Sequence, residues 1–119
     1  MEANKSLFLK YLGDTPQLKI LDFLIDNHFF DFPLTEIARE SNVSYNTLSK
    51  IFPDFVEKEI VNITRKMGKS DYYQLNLEHP FIKSLMQLDW TLSKGSMVEI
   101  IPDLNIKHRV GEYGKNLAV

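Results

Sequence analysis

Residues 34–70 read LTEIARESNVSYNTLSKIFPDFVEKEIVNITRKMGKS. Leu34, Ile37 and Ala38 recur at helical spacing and mark a short amphipathic helix, with Thr35 as its expected cap. Ser41-Asn42-Val43 then interrupts the pattern. Asparagine tolerates positive φ second only to glycine, so Asn42 suits a tight turn. Ser44 follows, and its hydroxyl can accept from an N–H that the first turn of a helix leaves unpaired. Leu48, Ile51, Phe52 and Phe55 stand at i, i+3, i+4 and i+7, so this second helix buries one face. Pro53 lies inside it, removes one backbone hydrogen bond and crowds the turn behind. A kink or break is therefore expected near Phe52-Pro53.

Downstream the period changes from helical to alternating. In residues 60–66 and 71–77, Val61, Ile63, Tyr73, Leu75 and Leu77 are expected to face in. Asn62, Thr64, Tyr72, Gln74 and Asn76 are expected to face out. Met67-Gly68-Lys69-Ser70 joins the two runs as a hairpin loop, with Gly68 supplying the awkward dihedral.

Helix, turn, helix and hairpin in this order resemble the winged helix-turn-helix of DNA-binding transcriptional regulators, above all the short archaeal, plasmid and viral type. Leu12-Gly13-Asp14-Thr15-Pro16, followed by LKILDFL over residues 18–24, is similar to the first-helix signature of that family. The distance from Ser44 to Ile60-Val61 is similar to a recognition helix running into its first wing strand. The likeness covers residues 5–94 by order of elements. It implies an α+β, mainly α fold: a three-helix core plus a β-hairpin wing, with an additional C-terminal helix. It also implies sequence-specific binding of double-stranded DNA by a dimeric transcriptional regulator. The recognition helix would enter the major groove and the basic wing would lie on the flanking backbone or minor groove.

The residues themselves suggest where such contacts would fall. The apolar stripe of the second helix leaves Tyr45, Asn46, Ser49 and Lys50 outside, side chains of a reach suited to base edges and phosphates. Ser44 and Thr47 complete that surface at the helix start. Around Thr35, the free N–H groups of the preceding helix would hold a phosphate. Arg65, Lys66 and Lys69 sit at the hairpin tip, where they would straddle a phosphate backbone or minor groove. Charged hairpin tips also occur simply to keep loops soluble. The competing function is a winged helix used as a protein-interaction module in a transcription, replication or DNA-segregation assembly, with Tyr45 and the C-terminal segment meeting protein.

Bulk properties narrow the classes further. A chain of 119 residues supports one modest core, and 44% hydrophobic content makes it fold rather than stay disordered. The net charge of −2 speaks against a general polyanion binder. Charge is unevenly spread, however. Acids outnumber bases before Ser44, whereas Lys50, Lys58, Arg65, Lys66 and Lys69 outnumber Asp54, Glu57 and Glu59 over residues 44–70. With no cysteine there is no disulfide framework or thiolate site. No apolar run reaches the roughly 20 residues of a membrane span, and a cytoplasmic location without membrane association is expected.

Residues 1–95 are read as the winged domain with flanking helices for dimerisation, and residues 96–119 as a strand-like or mobile extension. Thr15 and Pro16 open the helix carrying Leu18, Leu21, Leu24, Ile25 and His28. Ile20 and Phe23 widen its apolar face so far that cover from core and partner is expected. A last helix begins at Pro80 and is expected to end at Lys94-Gly95. Its residues Phe81, Leu85, Leu88 and Leu92 are spaced like a coiled-coil seam, with Ile82, Met86 and Trp90 as a second row. Together with Leu7, Phe8 and Tyr11 these four seam residues are the candidate homodimer contacts. No catalytic site is legible. His28, His79 and His108 are isolated from further ligands, and there is no phosphate-cradling glycine loop or nucleophile elbow. No metal, cofactor or small-molecule effector is indicated, and the chain is not read as an enzyme.

Overall fold

The computed structural model describes the backbone of residues 5–100 and the side chains of residues 5–93. Helix starts follow the local caps. The Ser6 hydroxyl accepts from the Leu9 N–H at 3.1 Å and opens α1 (Leu7–Leu12), which Gly13 closes at φ 96°. Thr15 caps α2 (Pro16–Asp26) in the same way, with Pro16 where a missing N–H costs nothing. The following loop leads into β1 (Phe32–Pro33) and directly into α3 (Leu34–Ser41). Here the cap is Pro33, with no side-chain hydrogen bond, not Thr35. Pairing of β1 with the sheet already holds Pro33 extended, so the helix begins two residues earlier than the cap preference suggested.

Asn42 ends α3 in the left-handed region, at φ 61° and ψ 41°, as the turn requires. Ser44 then caps α4 (Tyr45–Glu57). This helix is continuous through Pro53, so of the expected kink or break, the break does not occur. Proline removes the bond that would go back to Ser49. Phe52 and Phe55 on either side are both buried in the core, and that burial holds the helix together.

β2 (Val61–Met67) and β3 (Ser70–Leu75) form the hairpin, turning at Gly68 with φ 65°. The sheet is antiparallel with order β1-β3-β2. Its register breaks between Ile63 and Arg65. Ile63 pairs with Tyr73, but the next partner of Tyr72 is Arg65, so Thr64 is a bulge. Ile63 lies before that break, in register with Val61, yet is 54% exposed instead of buried as expected.

Phe8, Ile20, Leu24, Ile37, Leu48, Phe52 and Ile82 are fully buried and come from α1, α2, α3, α4 and α5 (Pro80–Ile100). Each such side chain contributes roughly 1.5–3 kcal/mol of transfer free energy. Phe8, expected among the dimer contacts, instead fills the interior of its own chain. α2 packs against α1, α3, α4 and β3, with Leu18 and Phe23 partly buried. On α5, Ile82 is buried and Leu85 and Met86 pack against the core, while Phe81, Leu88 and Trp90 are exposed. α5 also runs through Gly95 to Ile100, so the helix neither ends at Lys94 nor gives way to a strand-like extension at residue 96. Residues 101–119, the rest of the extension expected to be strand-like or mobile, lie outside the described residues.

Candidate nucleic-acid interface

The face of α4 opposite Leu48, Phe52 and Phe55 is uncovered. Tyr45 is 52% exposed, and Ser44, Asn46, Ser49 and Lys50 are exposed beside it, with Thr47 partly so. Several of these groups are already engaged locally. Ser44 Oγ accepts from the Thr47 N–H at 3.1 Å and donates to Thr47 Oγ1 at 2.9 Å. Ser49 Oγ points its hydrogen at the carbonyls of Tyr45 and Asn46, at 2.8 and 3.1 Å. With its hydrogen committed to the backbone, the Ser49 hydroxyl has only lone pairs left to offer and can serve a ligand as an acceptor. Among the described residues, the side chains of Asn46 and Lys50 have no hydrogen-bond or ion-pair partner. These two retain their full hydrogen-bonding capacity toward a ligand.

Thr35 is exposed in the first turn of α3, where N–H groups have no helical partner. Glu36 shares that turn and opposes an anion there.

The wing departs from three free cations. Arg65 donates to both oxygens of Asp31, from Nε at 3.0 Å and from Nη2 at 3.2 Å. Its guanidinium also lies over the Tyr72 ring, 4.4 Å from the centroid. Thr64 donates to Asp31 as well. The Thr64 hydroxyl, then Arg65, hold the Asp31 carboxyl below its usual range. Lys66 pairs with Asp71 at 3.2 Å. Lys69, in the turn beside Gly68, has no carboxylate partner among the described residues. Asp31 and Tyr72 are the residues that sequence reasoning missed at this surface. Residue 31 lies 34 positions from Arg65 and reaches it only because β1 docks on β3, so no local signal marks it.

A second charged feature lies away from this surface. Asp22 and Asp26 on α2 and Asp89 on α5 bring carboxylate oxygens within 4.8 Å of one another. Burial, reinforced by Asp26, pushes Asp22 up to about 6. Burial also raises Asp26 and Asp89. Next to it, a polar cleft of about 320 Å³ is lined by Lys5, Asp14, Lys19, Asp22 and Glu40 among others. Among the described residues, no helix is long and apolar enough to cross a membrane.

No family model matches the chain, and no curated protein sequence does. Solved structures do match in fold. The AntR antimony-specific transcriptional repressor superposes with a TM-score of 0.55 at 16% identity, over 76% of this chain and 78% of its own. NadR in complex with 4-hydroxyphenylacetate superposes with a TM-score of 0.59 at 13% identity, over 98% of this chain and 87% of its own. At these identities the likeness is one of fold: five helices and a small three-stranded antiparallel sheet in a winged-helix arrangement.

Proposed function

We propose that this chain is a dimeric transcriptional regulator that binds a specific double-stranded DNA site. The observation that carries the reading is the bare face of α4. Tyr45, Asn46, Ser49 and Lys50 lie exposed on a helix whose other side is core, and a hairpin bearing Lys69 stands in the same chain. Likeness in fold to a transcriptional repressor supports the same reading. α4 enters the major groove, where Asn46 and Ser49 read base edges and Lys50 reaches a base or phosphate. Arg65, Lys66 and Lys69 meet the flanking backbone or minor groove, and Thr35 adds a phosphate contact. The finer kinship with short archaeal, plasmid and viral regulators rests on residues 12–24 and 44–61 alone.

A homodimer would use the exposed Tyr11, Phe81 and Leu88, with Leu7, Leu85 and Leu92 at their edge. Two recognition helices would then lie about 34 Å apart and select an inverted repeat. The test is selection of bound sequences from a random duplex pool, followed by anisotropy titration at two salt concentrations. Lys50→Ala and Lys69→Ala should each weaken binding, and a lost phosphate contact lowers the salt slope by about one. Absence of salt-dependent duplex binding overturns the proposal. It would favour a protein-interaction module, the reading to which the neutralised Arg65–Asp31 and Lys66–Asp71 pairs lend support.

A further inference from the structure

We infer that Asp31 is a positioning residue for the wing: it fixes the Arg65 guanidinium so that its outer edge faces the nucleic acid. This rests on the DNA-binding reading above and goes beyond it. Arginine offers two forked edges to a planar acceptor, one through Nε and Nη2 and one through Nη1 and Nη2. Asp31 takes the first, with Nε at 3.0 Å and Nη2 at 3.2 Å. Nη1 and the outward hydrogen of Nη2 have no acceptor among the described residues, so the second edge stays open to a phosphate or a base.

Three further features hold this arrangement. Tyr72 stacks on the guanidinium at 4.4 Å and restricts rotation about the long side chain. Thr64 donates to the same carboxylate and also to the Tyr72 carbonyl, at 3.3 Å for the latter, which ties the strand pair to Asp31. The bulge at Thr64 is the backbone cause. Without it the ladder would set Thr64 opposite Tyr72, whereas the register shift sets Arg65 there. Asp31 itself is fixed by β1, which pairs with β3 one residue further on. The Arg65 side chain remains 52% exposed, so its open edge is not buried by this cradle. A free arginine would lose rotamer entropy on meeting DNA, and this one has already lost much of it.

Charge alone predicts the opposite of positioning. Removing a negative group beside a DNA contact strengthens binding if that group is a bystander, or if it competes with phosphate for the guanidinium. Positioning predicts weakening. The experiment is an anisotropy titration of a labelled duplex of about 30 base pairs, recovered from the random pool, against wild type, Arg65→Ala, Asp31→Asn, Asp31→Glu and the Asp31→Asn/Arg65→Ala double variant. Arg65→Ala should weaken binding about tenfold. Asp31→Asn should weaken it roughly fivefold despite the gained positive charge, and should have no further effect in the Arg65→Ala background. Asp31→Glu should restore part of the loss. Circular dichroism melting of each variant checks that the hairpin is intact. Should Asp31→Asn open the sheet, the Arg65→Lys variant takes over: positioning predicts that Lys, which cannot fork, binds as poorly as Ala. Unchanged or tighter binding by Asp31→Asn, with Arg65→Ala weakened, overturns the positioning role and leaves the DNA-binding reading standing. Failure of wild type to bind any duplex overturns that reading itself.

Discussion

The sharpest quantitative expectation concerns Asp22. Its Oδ2 accepts from the Ser6 hydroxyl at 3.1 Å, its Oδ1 is buried without a hydrogen-bond partner, and the carboxylates of Asp26 and Asp89 lie within 4.8 Å. Burial first, and the Asp26 charge second, raise the group from its ordinary 3.8 to about 6. Unscreened, a shift of that size corresponds to about 3 kcal/mol against the ionised form. Asp22 is only partly buried, so solvent screening leaves roughly 1–2 kcal/mol. Well below its ordinary value Asp22 is protonated whether folded or unfolded, and costs nothing. Between about 4 and about 6 the unfolded chain has released the proton and the folded chain has kept it, so stability falls as pH rises. Above about 6 the whole cost is present. Asp22→Asn keeps the shape and the acceptor for Ser6 but carries no charge. It should raise the melting temperature by about 3–8 °C at neutral pH and converge with wild type in acid. Thermal unfolding followed by circular dichroism across a pH series measures the difference directly. Taking the difference also cancels Asp14 and Asp31, whose lowered values act in the opposite sense. Equal melting at neutral pH, or an advantage just as large in acid, would refute the electrostatic account.

Phe8→Ala removes a side chain that is 1% exposed and should cost about 3–5 kcal/mol in urea denaturation. The cost should not grow on dilution, because the ring fills its own chain; a loss that does grow would return Phe8 to a subunit contact. Ser44→Ala deletes the cap on Thr47 and should destabilise by about 1 kcal/mol in the same assay. At Asn42, φ 61° makes alanine cost about 1 kcal/mol or more, whereas glycine should be nearly neutral; equal effects of the two would show that backbone strain is not what that turn selects against.

Local chemistry made much of this molecule legible before any coordinates. Ser44 and Thr15 mark helix starts because a hydroxyl one residue before a helix satisfies an N–H that nothing else can reach. Asn42 marks the turn because few residues accept positive φ, and Leu48, Phe52 and Phe55 mark the buried face because helix period is a property of the backbone. The exposed face of α4 then follows by subtraction. Where sequence reasoning failed, a distant segment had intervened. Thr35 lost its capping role to the pairing of β1 with β3, and Pro53 failed to break α4 because aromatic packing on both sides outweighed one missing hydrogen bond.

By itself, then, the chain dictates a capped helix-turn-helix followed by a hairpin, since each of those decisions is made over a few neighbouring residues. Tertiary structure alone decided the state of the wing cations. Asp31 stands next to Arg65 in space and far from it along the chain, and one inserted residue at Thr64 turns Arg65, not its neighbour, onto Tyr72. Folding likewise decided which apolar residues are core: Phe8 and Ile82 are enclosed, while Tyr11, Phe81 and Leu88 remain open. Periodicity reports that a face is apolar, and only the packing of helices against one another settles what covers it.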